Sequence, residues 1–94
     1  MQGGWVCFMT NRRNGVLYVG VTSDLAKRAW EHREGVEGFT TRYRLKRLVY
    51  AEYHTDIRDA IQREKNLKHW PHAWKVQLIE AQNPEWTDLY DSLL

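Results

Sequence analysis

Cysteine is nearly absent: a single one, Cys7, in 94 residues allows no disulfide within the chain. No Cys/His cluster has zinc-site spacing, so neither a disulfide framework nor a structural metal is expected to hold the fold. Long apolar runs are missing too, and nothing approaches the roughly 20 residues of a membrane span. No basic stretch followed by an apolar core opens the chain, so the expectation is a cytoplasmic protein with no membrane partner. An excess of one charge is also lacking. Fourteen Lys and Arg against twelve Asp and Glu leave a net charge of +2, well short of the basicity with which a protein holds duplex nucleic acid by charge alone. No internal repeat, low-complexity stretch or linker is visible. Residues 1–94 are therefore expected to form one domain, with 84–94 a C-terminal tail packed on it.

What is there is unevenly placed. Between Arg12 and Arg47 nine basic residues stand against four acidic ones, whereas the last fifteen residues carry Glu80, Glu85, Asp88 and Asp91 and no Lys or Arg. Two short apolar and aromatic runs, Trp5 to Met9 and Val16 to Gly20, flank Asn14-Gly15, whose residues suit the φ > 0 positions of a hairpin turn. Thr22, Ser23 and Asp24 then offer side-chain oxygens for a helix start, and the helix-forming run that follows predicts a helix from about Asp24 to Glu34. Residues 35–44, with glycines, threonines, aromatics and arginines in no period, read as a loop. A third strand is expected near Arg47 to Tyr53. A second helix, capped by Thr55 and Asp56, runs to about Lys68, and a third follows Pro71 and ends at Asn83-Pro84. The order β-β-α-β-α-α predicts an α+β fold, a three-stranded, mostly antiparallel sheet flanked by helices.

Two helix faces carry more than packing. Leu25, Arg28, Ala29 and His32 fall within one arc of ~100° on the first helix, so a guanidinium and an imidazole share the face that buries Leu25 and Ala29. On the second helix Glu64 falls in the middle of the stripe formed by Ile57, Ala60, Ile61 and Leu67. A buried lone carboxylate is costly, so Glu64 must be ion-paired, protonated, metal-bound or open to a cleft.

VCF followed by LYVG, then LAKRAWEH on the helix after Tyr18, IQREKNLKHW with Glu64, and the segment Asn83 to Trp86 together resemble the GIY-YIG nuclease superfamily, in its small stand-alone single-domain bacterial branch. The resemblance spans nearly the whole chain. It implies a divalent-metal-dependent endonuclease that hydrolyses phosphodiesters of DNA, branched or single-stranded forms among them, in repair or processing. By position Tyr18 matches the tyrosine of the second motif and Gly20 its glycine. Arg28 matches the phosphate-stabilising arginine and Glu64 the glutamate that holds the metal, Mg²⁺ or Mn²⁺. His32 falls where relatives place a histidine or tyrosine. The first motif's tyrosine falls on Cys7, which is a departure.

The residue chemistry suits those roles. Phosphodiester cleavage needs a base for water, positive charge at the phosphate and a cation at the bridging oxygen. Arg28 supplies a planar fork for phosphate oxygens, Glu64 a hard oxygen ligand of the kind Mg²⁺ accepts, and His32, with a reference pKa of ~6.5, a proton shuttle near neutrality. Candidate nucleic-acid contacts are Arg12, Arg13, Lys27, Arg42, Arg44 and Lys68, with Phe39 and Tyr43 placed among the basic residues for base stacking. Structural readings stand beside these: Tyr18 as a packed aromatic, Arg28 and Glu64 as an interhelical ion pair, Cys7 as a small buried hydrophobe. Correspondingly, two other functions are open, a catalytically weak or inactive nucleic-acid-binding module of the same fold and a protein-interaction adaptor.

Overall fold

The computed structural model describes residues 2–34 and 45–93. Its elements are strand β1 (Gly4–Thr10), strand β2 (Leu17–Thr22), helix α1 (Leu25–Glu34), strand β3 (Arg47–His54), helix α2 (Ile57–Lys68), helix α3 (His72–Gln82) and a closing 3-10 turn (Leu89–Leu93). The sheet is three-stranded in the order β2-β1-β3, and β1 pairs antiparallel with both neighbours. This is the α+β arrangement expected from the sequence. The loop expected at 35–44 lies outside the described residues.

The hairpin forms where the turn residues allow it. Asn14 adopts φ 59, a left-handed conformation that asparagine tolerates, and the Gly15 amide donates to the Arg12 carbonyl at 2.9 Å. Of the Asn14-Gly15 pair only Asn14 is left-handed. Gly15 is needed for space instead, because a Cβ there would meet the Asn11 side-chain oxygen. Strand β2 also runs further than expected, through Gly20 to Thr22. Val21 and Thr22 are β-branched and continue the register against Val6 and Trp5.

Alternation along β1 divides the interior. Val6 and Phe8 point to the face covered by α2 and α3, where they meet Val19, Val49, Ala60, Leu67, Ile79 and Trp86. Cys7 and Met9 point to the opposite face with Leu25 and Ala29 of α1, Leu45, Leu48 and the closing turn. Burying each large apolar side chain contributes ~1.5–3 kcal/mol, so a central strand apolar on both faces anchors two cores at once.

Caps set the helix ends. Asp24 Oδ1 accepts from the Lys27 amide at 3.1 Å, and Asp56 Oδ1 from the Arg58 amide at 2.9 Å, each satisfying an orphan donor. Pro71, with φ −55, precedes α3 as its cap residue. The stripe on α2 is narrower than expected: Ala60, Glu64 and Leu67 are buried, but Ile61 is exposed. The helix meets the sheet through the arc centred on Glu64's side of Ala60 and Leu67, and Ile61 lies beyond it.

The segment after α3 is stitched to β3. Asn83 Nδ2 donates to the carbonyls of Val49 (3.0 Å) and Thr87 (2.9 Å), and its Oδ1 accepts from the Thr87 amide at 3.0 Å. Trp86, fully buried and left-handed at φ 55, donates from Nε1 to Glu80 at 2.7 Å. The terminal carboxylates lie near arginines: Glu80 and Glu85 are 3.9 and 3.8 Å from Arg13, and Asp88 and Asp91 are 3.5 and 3.9 Å from Arg33, with Glu85 and Asp91 largely exposed.

Candidate active site

Strand β2 is an outer strand, and Tyr18 sits on its α1 face. Its position depends on Gly20. A Cβ at Gly20 would lie 2.8 Å from Tyr18 Cε2, closer than real contacts allow, so the missing side chain makes room for the ring to lie along the strand. From there the phenolic oxygen accepts a hydrogen bond from Arg28 Nη2 at 3.0 Å. Glu31, one turn along α1, holds the other side of the guanidinium at 3.6 Å. Burial works against the charge on Arg28, but the bond to Tyr18 and the Glu31 carboxylate outweigh it and hold its pKa above the ordinary value.

His32 closes this group from behind. Its ring packs on Tyr18 with centroids 5.0 Å apart, the residue is 3% exposed, and among the described residues neither ring nitrogen has a hydrogen-bond partner. Burial first, and then the positive charge of Arg28, lower its pKa to about 4 against a weaker pull from Glu31. The sequence suggests a proton shuttle near neutrality at His32; burial and the neighbouring guanidinium favour its neutral form. A second positive charge beside Arg28 in a dry pocket would be repelled, and the imidazole sheds its proton instead.

Cys7 lies beneath, opposite Gly20 on β2 and Ala51 on β3. It is 1% exposed, and burial pushes its thiol up to about 12. A thiol so placed is a packing group, as one of the sequence readings held.

Glu64 approaches from the other face of the sheet. It is 8% exposed, and its carboxylate is paired with the Lys68 ammonium one turn on, at 2.5 Å. Of the outcomes open to a buried carboxylate, pairing is the one observed, and its partner is not Arg28. Lys68 in turn lines a recess at the outer edge of β2 with Leu17, Tyr18, Val19 and Lys75. Tyr18 and the Glu64–Lys68 pair thus reach the same edge from opposite faces. On the α1 side, Lys27 and Arg28 line a neighbouring recess with Thr22, Asp24 and Glu31.

The other candidate contacts are scattered. Arg12 is exposed in the hairpin turn, Arg13 is engaged by Glu80 and Glu85, and Arg42 and Arg44 lie outside the described residues, as do Phe39 and Tyr43. Two participants escaped the sequence reading. Glu31 was accessible through its i,i+3 spacing from Arg28; Lys75 reaches the recess only through the docking of α3, which no local pattern encodes.

Among the described residues no group of three or more His, Cys, Asp or Glu could cage an ion. Glu64 is one hard oxygen ligand, held by the Lys68 ammonium, and Mg²⁺ accepts a single carboxylate when water and phosphate complete its shell.

This architecture and constellation define an α+β domain of the GIY-YIG type. The family model described as the GIY-YIG catalytic domain matches residues 3–77, and the chain belongs to that family. It is 30% identical over 88 residues to a UPF0213 protein of Desulfotalea psychrophila, covering 92% of this chain and 80% of that one. It is 37% identical over 81 residues to a UPF0213 protein of Orgyia pseudotsugata multicapsid polyhedrosis virus, covering 83% and 78%. A UPF0213 protein of Bacillus licheniformis is 34% identical over 82 residues, covering 86% and 84%. No solved structure matches the chain. Among the described residues no helix is long and apolar enough to cross a membrane.

Proposed function

We propose that the protein is a metal-dependent endonuclease acting on DNA phosphodiesters, in repair or processing, with its site along the outer edge of β2. The observation that carries this reading is the Arg28–Tyr18 hydrogen bond of 3.0 Å on a strand edge whose recess is lined by Lys68, the ion-pair partner of Glu64. Arg28 binds the scissile phosphate with its planar fork and meets charge that grows on the phosphate oxygens. Tyr18, held at the guanidinium, orients the attacking water and, in its ionised form, takes that water's proton. His32 stays neutral, keeps the Tyr18 ring in place and excludes water from behind it. Glu64 would hold the divalent cation, with Lys68 released from it toward a phosphate. That cation, Mg²⁺ or Mn²⁺, supplies positive charge at the bridging oxygen when bound. Arg12, Lys27 and Lys68 are the proposed phosphate contacts among the described residues.

One observation favours a second reading, a nucleic-acid-binding module with little or no turnover. Cys7 stands at the first-motif tyrosine position as a buried thiol raised to about 12, so Tyr18 has no second phenol to share the proton transfer.

The test is cleavage of supercoiled, single-stranded and branched DNA with Mg²⁺ or Mn²⁺ by the wild type and Glu64→Ala. Cleavage by the wild type that Glu64→Ala abolishes is the expected result. Salt-sensitive binding by both without cleavage by either moves the protein to the second reading.

A further inference from the structure

The elbow between α2 and α3 exposes aromatic surface that the catalytic reading does not use. Trp74, on the first turn of α3, is 55% exposed and meets Trp70 edge-on, ring centroids 5.9 Å apart. Together with Gln77 and Leu78 the two indoles line an open recess. The guanidinium of Arg63 stands 5.2 Å over the other ring, Trp70. An aromatic of this size left half in water at a helix start does no work for the core, and its flat face is open to a partner.

The neighbouring charge indicates which partner. Lys75, the next residue, lines the recess at β2 together with Tyr18 and Lys68, and its ammonium donates to the Lys68 carbonyl at 3.3 Å. The indole of Trp74 is thus followed directly by a cation turned toward the candidate active edge. Aromatic faces beside backbone-tracking cations are what a strand with unpaired bases needs. A duplex hides its base faces in the stack and could use only the lysines.

We propose that Trp74 and Lys75 form a docking step for single-stranded nucleic acid, with an unpaired base stacked on Trp74 and the adjoining phosphate on Lys75. The strand then passes Lys68 to Tyr18. This rests on the proposed function, which it deepens by assigning unpaired substrate to the same edge.

The experiment is fluorescence anisotropy with the full chain, without metal, on three probes: a thymidine oligonucleotide, an oligonucleotide of the same length made of abasic sites, and a duplex. Trp74→Ala is expected to weaken thymidine binding about tenfold while leaving the abasic and duplex affinities unchanged, and Trp74→Phe to restore most of the loss. Because Trp74 is half exposed, both variants should keep the wild-type Tm, which thermal unfolding followed by circular dichroism checks. Equal thymidine binding by Trp74→Ala and wild type overturns the proposal and leaves the face to a protein partner. A Trp74 effect as large on abasic chain as on thymidine also overturns it, since no base is then involved. Trp74-dependent binding in a wild type that cleaves nothing keeps the docking step and removes the nuclease. Cleavage by the wild type with binding indifferent to Trp74 does the reverse.

Discussion

Two clusters in this small protein contain the same four residue types and have opposite characters. On the β3–α2 side, Glu52 is the hub. It accepts from Tyr50 at 2.5 Å, meets His54 at 2.6 Å, and accepts from Arg63 at 3.1 and 3.4 Å. Burial tends to raise its carboxyl, but these hydrogen bonds outweigh it and hold the pKa low, while burial and the same carboxylate push Tyr50 up. On the β2–α1 side, Arg28 is the hub. Its carboxylate stands off at 3.6 Å, its tyrosine accepts from it at 3.0 Å, and neither nitrogen of the histidine is partnered among the described residues. The first cluster spends its polar groups on one another; the second keeps a cation and a phenol at a recess. Both clusters flank outer strands of the sheet, so the completeness of the pairing, not composition or strand position, separates a brace from a site.

The comparison can be broken most sharply at its two hubs. Arg28→Ala should cost about 10²–10³-fold in cleavage rate while the urea midpoint stays within a small shift of wild type, because the group it removes is only partly neutralised. A midpoint that collapses instead would show the two clusters to be equivalent braces. Glu52→Ala should destabilise the fold by about 3 kcal/mol, since Tyr50, His54 and Arg63 all lose their acceptor; equilibrium urea unfolding measures it.

The next contrast is in pH. His32 has a folded pKa of about 4, below its unfolded value of ~6.5. Between the two values the unfolded chain binds the extra proton, so His32 contributes stability above pH ~6.5 that is lost as pH falls toward 4, in total roughly 2–3 kcal/mol. Unfolding curves across that window should be steeper in pH for wild type than for His32→Phe, which keeps the ring contact and cannot titrate. Identical slopes would mean the imidazole is not buried neutral. The smallest effect is at Gly20. Gly20→Ala must displace the Tyr18 ring from its 2.8 Å approach and loosen the bond to Arg28, for a loss of roughly tenfold in rate, on the order of 1.4 kcal/mol, with stability nearly unchanged.

How far the sequence foretold this depends on the range of the forces involved. Asn14, Asp24, Asp56 and Pro71 act on their immediate neighbours, so the turn and helix starts were legible to within a residue or two. The burial of Glu64 followed from helical periodicity alone. Its partner Lys68 was within reach of the i,i+4 spacing, but that Arg28 does not compete for the carboxylate depends on how the helices lie across the sheet. His32 shows the same boundary. Its face on α1 could be read, whereas its lowered pKa comes from dehydration and from Arg28, which only the assembled pocket supplies. Strand β2 continued past Gly20 because β1 was there to pair with, and Ile61 stayed exposed because the buried arc of α2 runs through Ala60, Glu64 and Leu67. The brace at Glu52 drew no notice at all, since alternate residues on a strand look alike whether or not a helix brings an arginine to them.

The thiol of Cys7 has a further use. It lies on the central strand under α1 and the closing turn, nearly sealed and raised to about 12, so a thiol reagent near neutral pH can reach it only after that layer lifts from the sheet. As the only cysteine of the chain, it is a built-in stopwatch: the labelling rate times the opening of the packing between α1 and the sheet. Bound nucleic acid at the β2 edge should lengthen that time.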